Sequence, residues 1–193
     1  MVKIPDSRAQ TIVAAAKLFR LQGYNGTGLR DILKAAGSPR GSLYFHFPGG
    51  KEEIGVAALA MYAEAVRGMM ASAAQSSESA ETFLALVLQQ MAADLERTDY
   101  REGCPIAAVA ADTAAQSDVL GQATRKAFQA WEAEIKLGLE RFGFESEAAE
   151  SLATAALCQF EGALLLARTY RSPEPFRRAE KALRLLVGRR NGA

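Results

Sequence analysis

The stretch from Thr27 to Lys51, TGLRDILKAAGSPRGSLYFHFPGGK, decides the fold. Leu29, Ile32, Leu33 and Ala36 fall at i, i+3, i+4 and i+7, which makes a short helix with one apolar face. Thr27 stands in front of it as the expected N-cap. Gly37 then offers the positive φ that ends a helix, and Ser38-Pro39 offers an N-cap followed by proline at the first helical position. One helix stops and another starts within about three residues, the spacing of a helix-turn-helix. The second helix, Pro39 to about His46, carries Arg40, Gly41, Ser42, Tyr44 and His46 on its polar side and leaves Leu43 and Phe47 for a core. Polar side chains of these kinds contact phosphates and base edges.

Upstream, Ser7 to Gly23 is a longer helical pattern with Ile12, Ala15, Ala16 and Phe19 on one face, and it supplies the third helix of a small bundle. The preceding arm, Met1 to Arg8, is either a contact to a polyanion backbone or a solvated tail. Downstream, a helix from Lys51 to about Ala74 ends in the polar turn Gln75 to Ser79. At 1.5 Å per residue it spans roughly 36 Å, the length of a rigid connecting lever. Further helical patterns cover Ser79 to Asp99, Ile106 to about Ala115, Ser117 to Phe142, Ser146 to Tyr170 and Phe176 to Val187. No segment alternates in the manner of a strand, so the fold is all-α, with a boundary expected between residues 50 and 51.

The net charge of +1 conceals an asymmetry. Residues 1–51 hold eight Lys/Arg against two Asp/Glu, or +6, and the remainder holds fifteen against twenty, or −5. A basic end on an acidic body is expected where only that end meets a polyanion. The first residues lack a signal-peptide core, and no uninterrupted apolar run approaches the roughly 18 residues of a membrane span, so a cytoplasmic protein without membrane contact is expected. Cys104 and Cys158 are too few and too far apart for a disulfide framework or a metal cluster.

The string AAGSPRGSLYFHFPGGKEEI resembles the DNA-binding core of TetR-type transcriptional repressors. Ala36, Gly37, Arg40, Gly41, Leu43, Tyr44, His46, Phe47 and Lys51 occupy the family's places. Ser38-Pro39 and the additional glycine of Gly49-Gly50 depart from the usual pattern, and with Glu102-Gly103-Cys104-Pro105-Ile106 they resemble the LmrA/YxaF-like branch. The resemblance implies an N-terminal three-helix DNA-binding domain (residues 1–50) and a C-terminal helical domain for ligand binding and dimerisation (residues 51–193). It also implies release from DNA by a small hydrophobic or aromatic effector, and pairing through the last two helices as a four-helix bundle.

For DNA contact the candidates are Thr27, Arg40, Ser42, Tyr44, His46 and Lys51. Arg40 and Ser42 sit where recognition helices reach base edges. Thr27, Tyr44 and Lys51 suit phosphates, although packing beneath the motif competes for Tyr44 and His46. For the effector the candidates are Phe83, Met91, Phe128, Trp131, Phe160 and Leu164, large side chains that would line a pocket or fill a core equally well. For the homodimer the candidates are Leu152, Ala156, Phe160, Ala163, Leu164, Ala167, Phe176 and Leu183, because a two-fold dimer reads two half-sites of a palindromic operator.

Enzymatic readings find little support. His46 is the only histidine and belongs to the motif, and Gly49-Gly50-Lys51 lacks the frame of a nucleotide phosphate loop. Neither cysteine has a ligand partner at a useful spacing, so no metal or cofactor is expected. The leading reading is a ligand-responsive transcriptional repressor. A redox-responsive regulator using Cys104 and a helical small-molecule carrier with no DNA role are the alternatives.

Overall fold

The computed structural model describes residues 7–38, 45–113 and 116–188, and among them are eight helices and no strand. They are α1 (Ser7–Gln22), α2 (Leu29–Ala36), α3 (Gly50–Ser76), α4 (Ala80–Arg97), α5 (Pro105–Thr113), α6 (Asp118–Arg141), α7 (Ser146–Tyr170) and α8 (Glu174–Gly188). Two compact units result, one comprising Met1–Glu64 with Cys104–Ala127 and the other Ala65–Gly103 with Phe128–Ala193.

The first unit buries Ile12, Phe19, Ile32, Leu33, Phe47, Ile54, Ala58 and Leu59. Its α2 begins differently from the expectation. Gly28, not Thr27, is the N-cap, with extended φ −83° and ψ 152°, and its amide donates to Asp31 Oδ2 at 3.0 Å. Thr27 is unavailable because its hydroxyl donates back to the Gly23 carbonyl at 2.7 Å. Gly55 lets α3 run close to its neighbours, since a Cβ there would lie 3.0 Å from Leu120 Cδ2 and 3.2 Å from Tyr24 Cε2.

The second unit packs α4 against α8 and α7, and α7 against α8. Ser79 caps α4 by accepting from the Thr82 amide, and Thr82 Oγ1 accepts from the Ser79 amide in return, a reciprocal cap. Phe83, Val87, Trp131, Ile135, Leu139 and Phe160 are all buried in its core. Helix α3 is long and apolar enough to cross a membrane by length and mean hydropathy (1.3) alone, a test that buried core helices also pass. Its Arg67 is paired with Glu134 on α6 at 3.0 Å.

Gly138 marks the tightest helix approach in this unit, because a Cβ at that position would come within 2.6 Å of Phe83 Cε1. Phe83 is fully buried, so its ring has nowhere to retreat. Gly68, by contrast, has open space within 4 Å. Both glycines would gain about 1 kcal/mol of helix propensity as alanine, but overpacking at Gly138 costs about 1–3 kcal/mol. Thermal melts should therefore show Gly68→Ala raising the midpoint and Gly138→Ala lowering it. A rise for both would contradict the packing described.

Candidate nucleic-acid interface

The helix-turn-helix is held in place by backbone geometry at its turn. Gly37 closes α2 in the left-handed region (φ 62°, ψ 22°), which lets the Ser38 amide donate to the Leu33 carbonyl at 3.1 Å. The Ser38 hydroxyl lies 3.1 Å from Ser7 Oγ and 3.4 Å from Thr11 Oγ1, so the turn is tied to the first turn of α1. Pro39 to Tyr44 lie outside the described residues, and with them the candidates Arg40, Ser42 and Tyr44. Phe45 and His46 are helical. Phe47 is 1% exposed, with the Arg8 guanidinium 5.3 Å from its ring centroid.

The additional glycine of Gly49-Gly50 has a structural role. The Gly50 amide donates to the Phe47 carbonyl at 2.9 Å, and Gly50 takes φ 65°, a conformation that strains residues bearing a Cβ. The Gly49 amide donates to Glu53 Oε2 at 2.9 Å, so the first turn of α3 secures the exit from the motif.

Thr27 and Lys51, both read from the sequence as phosphate contacts, are turned into this unit. Thr27 is 1% exposed. Lys51 Nζ donates to the Tyr24 carbonyl at 2.7 Å and sits 3.9 Å from the Tyr24 ring centroid. Burial lowers the Lys51 pKa, and the Asp112 carboxylate works against that shift. Burial, followed by the Glu52 charge, raises the Tyr24 phenol. Asp112, at the end of α5, also holds the α1–α2 loop: its Oδ2 accepts from the Asn25 amide at 2.9 Å, and its carbonyl accepts from Asn25 Nδ2 at 3.3 Å. Gly23 permits this, since it takes φ 74° and a Cβ there would lie 2.8 Å from Asp112 Oδ2.

His46 is half-buried and meets the exposed Phe45 ring edge-on at 5.1 Å. Phe45 was absent from the sequence candidates. Its place directly before His46 and two residues before the core side chain Phe47 was the available signal.

The six effector candidates all belong to the second unit. Phe83, Trp131 and Phe160 are almost fully buried, Leu164 is 9% exposed, and Met91 and Phe128 are half-buried. Phe128 and Trp131 stack edge to face at 5.7 Å. Of the dimer candidates, Ala156, Phe160, Ala163, Leu164, Ala167, Phe176 and Leu183 are buried within the protomer, and Leu152 is half-buried. The same two helices expose Leu165, Leu166, Tyr170, Leu185 and Leu186. A groove of about 810 Å³ between them is lined by Cys158, Gly162, Leu166, Tyr170, Ala179 and Ala182, among others. Cys104 is buried and its Sγ accepts from the Ala107 amide at 3.4 Å, an N-cap for α5. Cys158 is the exposed cysteine.

Residues 12–58 match the family described as bacterial regulatory proteins, tetR family, and residues 79–182 match the C-terminal domain of the LmrA/YxaF-like transcriptional regulators. The HTH-type transcriptional regulator LmrA of Bacillus subtilis is 34% identical over 88% of this chain and 90% of its own. The regulator YxaF of the same organism is 32% identical over 94% of this chain and 95% of its own. Among solved structures, Escherichia coli NemR in its reduced form is similar with a TM-score of 0.81 and 26% identity, over 94% of this chain and 98% of that one. A TetR transcriptional regulator from Legionella pneumophila shares the fold with a TM-score of 0.84 at 23% identity, over 96% of this chain and all of that one. With a tetR-type helix-turn-helix at one end and an LmrA/YxaF-like domain at the other, the chain belongs to the tetR family of transcriptional regulators, a family of DNA-binding proteins and not of enzymes.

Proposed function

We propose that the protein is a cytoplasmic homodimeric repressor that binds a palindromic operator and is released from it by a small hydrophobic or aromatic effector. Residues 1–50 read the DNA, and residues 51–193 hold the effector and the dimer contacts. The observation that carries the reading is the turn at Gly37-Ser38, pinned to α1 and followed by a recognition segment within a stretch of +6 net charge. Arg40 and Ser42 reach base edges, Tyr44 and His46 the backbone, while Thr27 and Lys51 act on DNA through the frame they hold. The effector lies against Met91, Phe128 and Trp131, with Phe83, Phe160 and Leu164 behind them. Two protomers meet on the exposed face of α7 and α8, and Leu152, Ala156, Phe160, Ala163, Leu164, Ala167, Phe176 and Leu183 form the layer that supports it.

Selection from a randomised DNA pool, followed by a salt titration on the enriched site, tests this. A palindrome and a steep salt slope are expected. Arg40→Ala should lower operator affinity about 5- to 150-fold, the 1–3 kcal/mol of a bidentate arginine–guanine pair. Affinity unchanged in that variant would remove Arg40 from the interface, and a pool with no enriched site would remove the function. Effector response is read separately, as compounds that raise the melting temperature and release the operator.

A further inference from the structure

Phe45 has no role in the frame just described. It is 83% exposed, the most exposed of the large apolar side chains described, while the other eight phenylalanines are buried or half-buried. It stands at the helical end of the recognition segment, two residues from Phe47, which is 1% exposed. Phe45 is turned to solvent, while Phe47, just past the helix end, enters the core. The ring is thus presented on the outward side of the segment, in the part of the chain whose charge attracts a polyanion.

In the major groove of DNA the one apolar group on a base edge is the C5-methyl of thymine, and an apolar side chain such as phenylalanine discriminates by covering it. We infer that Phe45 is a specificity-determining residue that packs on a thymine methyl in each operator half-site. The inference rests on the proposed DNA-reading function. It adds a requirement that hydrogen-bonding residues do not impose, namely a thymine at one fixed place in each half-site.

Replacing thymine by deoxyuridine removes that methyl and leaves the hydrogen-bonding pattern intact. The selected operator is therefore substituted with deoxyuridine one thymine at a time and titrated with the wild-type dimer and with Phe45→Ala and Phe45→Leu. One thymine per half-site should show a loss of about fourfold with the wild type, the worth of one buried methyl. Phe45→Ala should bind both forms equally, and Phe45→Leu should keep part of the preference. Because the ring is exposed, Phe45→Ala should melt with the wild type. Specific binding without a uracil-sensitive position would overturn the inference, as would a sensitivity that survives in Phe45→Ala. A uniform affinity loss in Phe45→Ala, equal on thymine and uracil, would place the ring on the sugar-phosphate backbone and also overturn it. Those results leave sequence-specific binding standing, whereas failure to enrich any site would remove the underlying function as well.

Discussion

Phe47→Ala is expected to destabilise the first unit by about 3–5 kcal/mol, the range for truncating a buried phenylalanine. The side chain is 1% exposed, and its carbonyl also receives the Gly50 amide that closes the turn into α3. Truncation leaves a cavity in the core of the first unit, just before the turn into α3. For a chain of this size the loss corresponds to a fall in melting midpoint of roughly 6–20 °C. Operator affinity should fall with it, because only the fraction of molecules with an intact head is competent to bind. A circular-dichroism melt and an operator titration on the same preparation check both effects. Phe45→Ala is the internal control for the melt alone, being the same substitution two residues away on an exposed ring. Equal melting of the two variants would contradict the burial assigned to Phe47.

Leu165→Asp combined with Leu185→Asp is expected to turn the dimer into a folded monomer at micromolar concentration. These leucines are 64% and 69% exposed in the protomer, so their replacement removes little from its own core. In a two-fold dimer the pair would bury four leucines, worth about 1.5–3 kcal/mol each, and the aspartates would bring unpaired charge to the same place. Sedimentation should report a wild-type mass near twice 20.7 kDa and a variant mass near 20.7 kDa. Operator affinity should drop by orders of magnitude, since each head would then bind its half-site without the other. A variant that still sediments as a dimer would place the pairing face elsewhere.

Much of the architecture is legible in local sequence because helix starts and stops are local events. Gly37 is legible as a helix end from the sequence and takes φ 62° there, whereas the reciprocal cap of Ser79 with Thr82 is seen only in the structure. The apolar spacing Leu29, Ile32, Leu33 gives α2 its buried side, and in the structure Ile32 and Leu33 are indeed enclosed. What local pattern does not show is the partner of a polar group. Thr27 reads as a cap and a phosphate ligand until its hydroxyl is seen on Gly23, and Lys51 reads as a free cation until its ammonium is seen on Tyr24, 27 positions back. Asp112 has no local signal at all, since its contacts to Asn25 span 87 positions. Helix α7 poses a different difficulty. Its apolar residues are spread over more than one face, and spacing alone does not say that Phe160 and Ala167 turn inward while Leu165 and Leu166 remain uncovered.

The contact of Asp112 with the α1–α2 loop bears on how the protein is made. The first unit is assembled from two stretches of chain, Met1–Glu64 and Cys104–Ala127, with a long excursion between them. On the ribosome the amino-terminal helices emerge well before Asp112 does, and until then the Asn25 amide and the Gly23 bend lack the carboxylate that fixes them. A nascent chain halted before residue 104 therefore carries the whole helix-turn-helix sequence but not the closed loop that supports it. A fragment cut after α3 is likewise expected to lack the Asp112 contacts that hold the α1–α2 loop, which makes it an incomplete first unit and not a miniature of the regulator.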